Sequence, residues 1–278
     1  MDILEEITQQ FTQGDMAVFI GAGFSMNSGL PGWSKLTQPI AEITGSPWPS
    51  NERDLTSDHF LKAMQYYDNQ FGRNRLIHYL KDQLGTTGSS PSLVHDLLCL
   101  LPARIIFTTN YDNLIEKAFH KNNITTNTIV NEVEFSYWNN SYVQIIKLCG
   151  DLGQPASIVA TKYDYNIYME THSRMVDFLR STLETKGGLF LGYSLQDPFF
   201  NQIWDNIGRS FGRHRRPGYA VMFNTSDLER KDLRSRGVHV IELESGKNKN
   251  VTETFSEWLN HLVEMTTKTS SINKGSKS

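Results

Sequence analysis

Four short segments of this sequence combine glycine with amide, hydroxyl or carboxylate side chains, which are residue types that can bind and polarise a ligand. Each segment directly follows an apolar run that predicts a buried strand. Ligands of an open parallel sheet bind beyond the carboxyl ends of its strands, so we expect the segments to meet at one site. The segments are Gly21-Ala-Gly-Phe-Ser25, Thr109-Asn-Tyr-Asp112, Cys149-Gly-Asp151 and Gly192-Tyr-Ser-Leu-Gln-Asp197.

The first segment has the composition of a phosphate-binding turn. Gly21 and Gly23 permit a tight turn and a close approach of the backbone to a pyrophosphate, whose charge suits the amides at a helix start. Met26 occupies the third glycine position of the dinucleotide-binding fingerprint, so the match to that fingerprint is incomplete. The alternative is a glycine turn that only links a strand to a helix.

The second segment places Asn110 and Asp112 just after a predicted strand. In an extended loop, side chains two residues apart face the same pocket. An amide can orient a water molecule or a ribose hydroxyl, and a carboxylate can accept hydrogen bonds from a carboxamide NH2 group. Asp112 is equally suited to cap the helix that follows, and capping does not exclude ligand binding.

The third segment raises the question of a cysteine nucleophile. Cys149 would need a nearby base or cation to form the reactive thiolate. Lys147 precedes it by two residues and would lie on the same side of an extended strand, which makes it the candidate cation. The alternative is that Cys149 fills a small apolar space at the end of a buried strand.

Composition excludes several classes of protein. With 278 residues, of which 38% are hydrophobic and 21% charged, the chain is typical of a globular protein with one large domain. A formal net charge of -3 is too small to indicate a polyanion partner, so we predict no direct nucleic-acid binding. Two cysteines cannot build a four-cysteine zinc site, and the eight histidines lack metal-site spacing, so we expect no metal.

The sequence predicts a cytoplasmic protein without membrane contact. Acidic residues stand near the N-terminus, where a signal peptide would have basic ones. No apolar run approaches the ~20 residues that span a bilayer. The two cysteines lie in apolar surroundings and do not suggest a disulfide framework, which agrees with a reducing compartment.

A sheet is needed to bring the four segments together, and the chain alternates predicted strands with helical patterns. This alternation predicts an α/β fold with a doubly wound, mainly parallel, Rossmann-like sheet. The strands are predicted at Met16–Ile20, Arg104–Thr108, Tyr142–Leu148, Gly188–Gly192, Tyr219–Phe223 and Val238–Leu243.

We predict a single domain over residues 1–265. Residues from about 45 to 102 interrupt the alternation with helical segments, and we interpret them as a helical insertion that could cover a site on the main sheet. Residues 266–278 are rich in serine, threonine and lysine and are predicted to form a disordered tail.

The order of the motifs resembles that of the sirtuin (Sir2-type) superfamily of NAD-binding domains. The resemblance covers roughly residues 15–205 and is closest to the sirtuin-like domains of bacterial antiphage defence proteins. It implies a sirtuin-type fold, here without the zinc module, and the hydrolysis of NAD to nicotinamide and ADP-ribose by an antiphage effector. The motifs are Gly21-Ala-Gly-Phe-Ser25 with Gly29-Leu-Pro31, Thr109-Asn-Tyr-Asp112, Lys147-Leu-Cys-Gly150 and Gly192-Tyr-Ser194.

The resemblance also implies a role for each matched residue. Asn110 would contact the nicotinamide ribose and position the attacking water, and Asp112 would hold the carboxamide. The pyrophosphate would be held by Gly21, Ala22, Gly23 and Ser25. The adenosine side would be lined by Gly192, Ser194 and Asp197. The implied ligands are NAD, as the substrate, and ADP-ribose. The implied partners are further copies of the chain in a homo-oligomer and a second defence-system protein such as a helicase-type ATPase.

Cys149 departs from the family, which has a catalytic histidine at this position. A histidine beside the ribose can act as a base near neutral pH, whereas a cysteine with an ordinary pKa of ~8.5 is a poor base at pH 7. Three interpretations stay open. Asn110 and the pocket suffice for a reduced hydrolase activity, or the chain is an NAD or ADP-ribose sensor or scaffold without turnover, or the cysteine is an engineered replacement. Deacylation of a protein lysine is a further alternative, against which the missing zinc module speaks.

Overall fold

A seven-stranded, all-parallel sheet lies at the centre of the described part of the chain, which in this computed structural model is residues 2–85, 88–244 and 250–275. The strands are β1 (Met16–Ile20), β2 (Ile105–Thr108), β3 (Thr126–Ile129), β4 (Val143–Lys147), β5 (Gly187–Leu191), β6 (Gly218–Phe223) and β7 (Val238–Leu243). Their order in the sheet is β3-β4-β2-β1-β5-β6-β7, so the chain winds outward from β1 in both directions. The predicted doubly wound parallel sheet is confirmed.

Helices cover both faces of the sheet. In chain order they are α1 (Ile3–Gln13), α2 (Ala22–Ser25), α3 (Trp33–Thr44), α4 (Ser57–Phe71), α5 (Arg73–Leu84), α6 (Leu93–Leu100), α7 (Leu114–Lys121), α8 (Lys162–Thr171), α9 (Ser173–Thr185), α10 (Pro198–Phe211), α11 (Asp227–Ser235) and α12 (Val251–Gly275). With both faces covered, strands β1, β4 and β5 are buried along their whole length, which explains the lack of polar side chains in β1 and β5.

The alternation of side chains along β1 divides the core into two clusters. Ala17 and Phe19 face the cluster that includes residues of α3, α4, α5, α8, α9 and α10. The Phe19 ring lies 4.9 Å from the rings of Phe107 and Phe190 on the neighbouring strands. Val18 and Ile20 face the opposite cluster, which includes residues of α1, α6, α7 and α12. Because successive side chains of a strand point to opposite faces of the sheet, β1 contributes residues to both core clusters.

Strand β3 was not predicted from the sequence. Its residues Thr126, Asn127 and Thr128 are only half-buried, and the strand pairs on one side alone, with β4. An edge strand of this kind needs neither an apolar run nor a strict alternation. The polar composition that hid β3 is therefore a consequence of its place at the edge of the sheet.

The segment that was interpreted as a helical insertion contains α4, α5 and α6. Helix α4 packs on α3, α5 and α8, whereas α6 packs on α7 and α12. Residues of α4 and α5 belong to one core cluster and residues of α6 to the other. Only the first two helices therefore lie on the side where they can cover the strand ends, and the boundaries of the insertion stay a prediction.

The C-terminal segment differs from the predicted disordered tail. Helix α12 continues to Gly275, and Thr266 is buried with its hydroxyl donating to the backbone oxygen of Val263. The prediction of disorder is therefore wrong for residues 266–275, and residues 276–278 lie outside the described part. Within the described ranges, every helix is too short or too polar to cross a membrane.

Candidate functional site

The candidate site lies where the strand order reverses, between β1 and its neighbour β5. The loops after these two strands meet at the carboxyl ends of the sheet, which is where the ligands of open parallel sheets bind. A cavity of about 370 Å³ forms a crevice there. Its walls are residues 21–23 after β1, most of residues 192–198 after β5, residues 221–223 of β6, and Ser57, Phe60 and Leu61 of α4.

The glycines of the first and fourth segments let the two loops touch. A Cβ atom on Gly21 would lie 2.5 Å from the backbone oxygen of Gly192, and one on Gly192, whose φ is +59°, would lie 2.2 Å from the Phe24 nitrogen. The Gly23 N–H donates to the Gly192 oxygen at 2.9 Å. Contact between the loops therefore accounts for these glycines, and their role in holding a pyrophosphate stays a prediction.

A second, smaller cavity of about 30 Å³ adjoins the first, and the two share Ala22, Trp33 and Thr109. Ser25, Asn110 and Asp112 line the smaller cavity. A space of this size holds about one or two water molecules. The predicted site residues of the first two segments are thus gathered at one connected site.

Ser25, Asn110 and Asp112 form a hydrogen-bonded group that we call the amide–carboxylate cluster. Asn110 Nδ2 donates to the Gly21 oxygen at 3.0 Å and to Ser25 Oγ at 2.9 Å, and Ser25 Oγ donates to Asp112 Oδ2 at 2.9 Å. All three side chains are buried. Because both N–H groups of the amide are used, Asn110 Oδ1 is the atom that can accept a hydrogen bond from a water or a ribose hydroxyl.

Asp112 also stabilises the start of α7. Its Oδ1 accepts from the backbone N–H of Leu114 at 3.0 Å, while its Oδ2 accepts from Ser25. The carboxylate thus satisfies the first N–H of the helix, although the N-cap position is Asn113 and the helix begins one residue later than predicted. A contact between Asp112 and a carboxamide stays a prediction, and it would have to share oxygens that already accept hydrogen bonds.

The buried Lys147 holds the loop that carries Asp112. Its Nζ donates to the Asp112 carbonyl oxygen at 2.5 Å, pairs with Asp151, and lies 3.3 Å from Glu116 Oε1. Burial raises the pKa of Glu116, and the lysine ammonium opposes that rise. The ammonium is thus committed to the Asp112 loop, and its predicted role as the cation beside Cys149 finds no support.

Cys149 lies in the core and is fully buried. Its Sγ is 3.4 Å from the hydroxyl of Tyr165, and burial raises the pKa of the thiol well above its ordinary value. Among the described residues that line the two cavities, Cys149 is not found, whereas Tyr165 lines the larger one. The geometry therefore favours Cys149 as an apolar filler of the core over Cys149 as a nucleophile. The segment Cys149-Gly-Asp151 contacts the candidate site only through the hydrogen bond between Cys149 and Tyr165.

Tyr165 and Asp197 form a second polar group, which we call the Tyr165–Asp197 pair. The Tyr165 hydroxyl donates to Asp197 Oδ2 at 3.1 Å, and Asp197 Oδ1 accepts from the N–H of Phe200 at 3.1 Å, which caps α10. Burial raises the pKa of Asp197 to about 6. The pair lines the larger cavity together with Gly192 and Ser194, and the assignment of Gly192, Ser194 and Asp197 to the adenosine side stays a prediction.

Sequence analysis missed Tyr165, and it predicted a covering insertion without identifying the α4 residues that line the site. Tyr165 and Tyr168 stand three residues apart on α8, a spacing that also fits ordinary core packing. Trp33 and Phe60 stack with their ring centroids 6.3 Å apart, and Ser57 Oγ donates to the Gln196 oxygen at 2.9 Å. These contacts join α4 to the loop after β5, so the wall depends on tertiary packing that no local pattern indicates.

Comparisons with known proteins agree with this geometry. Residues 104–241 match the SIR2-like domain. The NAD(+) hydrolase ThsA of Acinetobacter baumannii is 31% identical over 79% of this chain and 44% of that protein, and ThsA of Bacillus cereus is 30% identical over 79% and 45%. Defense-associated sirtuin 2 of Bacillus subtilis is 25% identical over 95% of this chain and 27% of that protein. The chain spans less than half the length of each of these curated relatives.

Proposed function

The chain belongs to the SIR2-like family, and we propose that it hydrolyses NAD⁺ to nicotinamide and ADP-ribose as an effector of defence against phage. The observation that carries this proposal is the amide–carboxylate cluster, which lies buried beside a cavity at the switch point of the sheet. The names of the relatives, NAD(+) hydrolase and defence-associated sirtuin, support the substrate and the biological role.

The proposed reaction breaks the bond between the nicotinamide nitrogen and C1′ of the ribose. Positive charge builds on the sugar as this bond breaks, so catalysis requires an oriented water and groups that stabilise the developing charge. Asn110 Oδ1 would accept a hydrogen bond from that water, since the amide is held by Gly21 and Ser25. The burial of the cluster keeps its dipoles fixed and strengthens their electrostatic effect.

The larger cavity would hold the rest of the nucleotide. Its volume of about 370 Å³ falls within the ~300–1,000 Å³ of typical small-molecule sites. Residues 21–23 would lie along the pyrophosphate, and Gly192 and Ser194 would line the adenosine side. The apolar ends of β6 and α4, including Phe223 and Phe60, would provide surfaces against which a base can pack.

One observation favours a second candidate function, a subunit that binds NAD or ADP-ribose without turning it over. Cys149 replaces the usual histidine, is sealed in the core, and has a thiol whose pKa is raised by burial. It therefore supplies no base at neutral pH. Calorimetry distinguishes the candidates, since the second one requires saturable binding of NAD⁺ together with an absence of products.

The test of the proposed function is a chromatographic analysis of NAD⁺ incubated with the purified protein. We expect nicotinamide and ADP-ribose in equal amounts, and a rate lowered by about 10²-fold in Asn110→Ala, because the water is no longer oriented. Asn260→Ala, at an exposed position of α12, is the matched control and should retain the wild-type rate. Binding without products, even at high protein concentration, would contradict the hydrolase and favour the second candidate.

We propose further that the protein acts in the cytoplasm as a homo-oligomer, together with a second defence-system protein. Light scattering of the purified protein tests the oligomer. The hydrolysis assay repeated in extracts of infected and uninfected cells tests whether a partner or a trigger is required.

A further inference from the structure

We propose that Asp197 is the general base of this site, taking the proton of the attacking water, and that Tyr165 is the residue that positions it. This inference rests on the proposed hydrolase function and adds to it the group that handles the proton. Neither residue lies in the amide–carboxylate cluster, and the sequence assigned Asp197 only to the adenosine side.

The first argument is the position of the carboxylate. Asp197 lines the larger cavity and is half-buried, so one side of it faces the space in which substrate and water would lie. One oxygen accepts from the Phe200 N–H and the other from the Tyr165 hydroxyl, both at 3.1 Å. Each carboxylate oxygen can accept a second hydrogen bond, so two anchored oxygens remain able to contact a water.

The second argument is the hydrogen-bond chain behind the carboxylate. The Tyr165 hydroxyl uses its one hydrogen in the hydrogen bond to Asp197. In the contact between Tyr165 and Cys149, the thiol is therefore the donor and the hydroxyl oxygen the acceptor. The chain thus runs from the Cys149 S–H to the Tyr165 hydroxyl and on to the Asp197 carboxylate. The small cysteine leaves room for the tyrosine hydroxyl at the point where a larger side chain would displace it.

The third argument is charge. Titratable groups from several elements lie close enough to Asp197 for its charge to raise their pKa, and burial raises the pKa of each further. These groups are Tyr111 after β2, Cys149 after β4, Tyr165 and Tyr168 on α8, and Tyr193 after β5. Because their pKa values are raised, all of them are neutral at pH 7. Asp197 therefore stays a carboxylate at pH 7, yet its raised pKa of about 6 makes it a stronger base than an exposed aspartate.

The other candidates for a base are less suited. The Cys149 thiol is protonated at neutral pH because burial raises its pKa. Asp112 is buried and lines only the smaller cavity of about 30 Å³, whereas Asp197 lines the larger cavity in which the nucleotide would lie. Among the described residues that line the two cavities, there is no histidine, lysine, arginine or glutamate, and the carboxylates are Asp112 and Asp197.

The step balances as follows. The water oxygen forms a bond to ribose C1′, and the bond from C1′ to the nicotinamide nitrogen breaks, with its electron pair going to nicotinamide, which leaves neutral. One water proton passes to the Asp197 carboxylate and is later released to solvent. The products are ADP-ribose, nicotinamide and one proton, so no oxidant, reductant or further reactant is required.

The test compares kcat and KM for NAD⁺ across pH in the wild type and in Asp197→Asn. Asparagine keeps the helix cap and a hydrogen bond with Tyr165, but it does not accept a proton. We expect kcat to fall by about 10²- to 10⁴-fold with little change in KM, because general-base catalysis is worth that much. We also expect the wild-type kcat to fall as pH drops through about 6, and this acid limb to be absent from the residual rate of the variant.

Tyr165→Phe provides a second, milder variant. It removes the hydroxyl that donates to the carboxylate, so the pKa of Asp197 should rise and the acid limb of kcat should move to higher pH. A residue with a purely structural role would lower kcat without moving the limb. Asp227→Asn and Tyr137→Phe, both at exposed positions outside the cavities, are the matched controls and should leave rate and profile unchanged.

The outcomes separate this inference from the function on which it rests. A wild type that yields no products overturns the hydrolase function and the base together. A wild type that yields products, with an Asp197→Asn variant of equal kcat or with an unchanged acid limb, overturns the base alone. A variant whose KM rises while kcat is kept would make Asp197 a contact to a ribose hydroxyl instead.

Discussion

The amide–carboxylate cluster and the Tyr165–Asp197 pair lie at the same crevice but are built differently. In the cluster, Ser25, Asn110 and Asp112 satisfy one another, and a buried lysine holds the loop that carries them. In the pair, one carboxylate faces the cavity among neutral aromatic and thiol groups. The first arrangement fixes dipoles in place, and the second shifts a pKa. We infer that orientation of water and transfer of its proton are separated between the two regions.

The largest effect on stability is expected from Lys147→Met, which tests whether the cluster depends on its buried support. The change leaves Asp151 and Glu116 without the cation that balances them, and breaking a buried pair in this way costs about 3 kcal/mol or more. Chemical denaturation should show this loss in the free energy of unfolding. Lys121→Met, which removes an exposed pair with Asp96, is the control and should cost less than about 1 kcal/mol.

A loss as small as that of the control would mean that the cluster is held by its own hydrogen bonds. Glu116→Gln added to Lys147→Met should recover part of the stability, because it removes one of the uncompensated carboxylates.

Cys149→His tests whether the Tyr165–Asp197 pair has taken the place of the histidine that the resemblance implies at this position. The larger ring must displace Tyr165 or its neighbours in the core, so we expect the free energy of unfolding to fall by about 1–3 kcal/mol. The rate of NAD⁺ hydrolysis should not rise. Cys99→His, at a buried position of α6, measures the cost of the same replacement away from the site. A gain in kcat in Cys149→His would show that a side chain at this position reaches the reacting atoms, and the proposed division of roles would be wrong.

Ser25→Ala tests whether the amide–carboxylate cluster acts independently of the Tyr165–Asp197 pair. It removes the hydroxyl that accepts from Asn110 and donates to Asp112, so both side chains lose a partner. We expect a loss of about 1–2 kcal/mol in the free energy of unfolding and a lower kcat whose dependence on pH is unchanged. Ser181→Ala on α9, whose hydroxyl bonds only to the backbone of its own helix in the described contacts, is the control. If the acid limb of kcat against pH moved in Ser25→Ala, the cluster would affect the pKa of Asp197, and the proposed separation of roles between the two regions would be wrong.

The last test of the comparison concerns how stability depends on pH. Burial raises the folded-state pKa of Asp197 from 3.8 to about 6, so between these values the folded state binds the proton more strongly than the unfolded state does. Its contribution to the free energy of unfolding therefore falls as pH rises from about 4 to about 6. The stability difference between the wild type and Asp197→Asn should show this fall, with Asp227→Asn measured in parallel. A difference that rises over the same interval would contradict the raised pKa.

The buried strands and the loops after them could be predicted from the sequence because their patterns are local. The apolar run of β1, its following glycines, and Asn110 with Asp112 after β2 were all recognised, and the structure gathers them at one crevice. Strand β3 and the continuation of α12 could not be predicted in this way. Strand β3 has few apolar residues because it lies at the edge of the sheet, where it pairs only with β4. Helix α12 is held by its contacts with α1 and α6, which the sequence does not show.

The sequence by itself determined the parallel sheet, the place of the candidate site at its carboxyl edge, and the family to which the chain belongs. Each of these follows from short motifs and from the period of apolar residues, which need no knowledge of distant contacts. Only the tertiary structure decided what Lys147, Cys149, Tyr165 and Asp197 do. Their contacts join residues from different elements, and the pKa of a carboxylate depends on the groups that surround it in space. Cys149 was visible in the sequence as a departure from the histidine that the resemblance implies, and so was Asp197 as a site residue, whereas the contact of Asp197 with Tyr165 appears only once α8 and α10 are packed together.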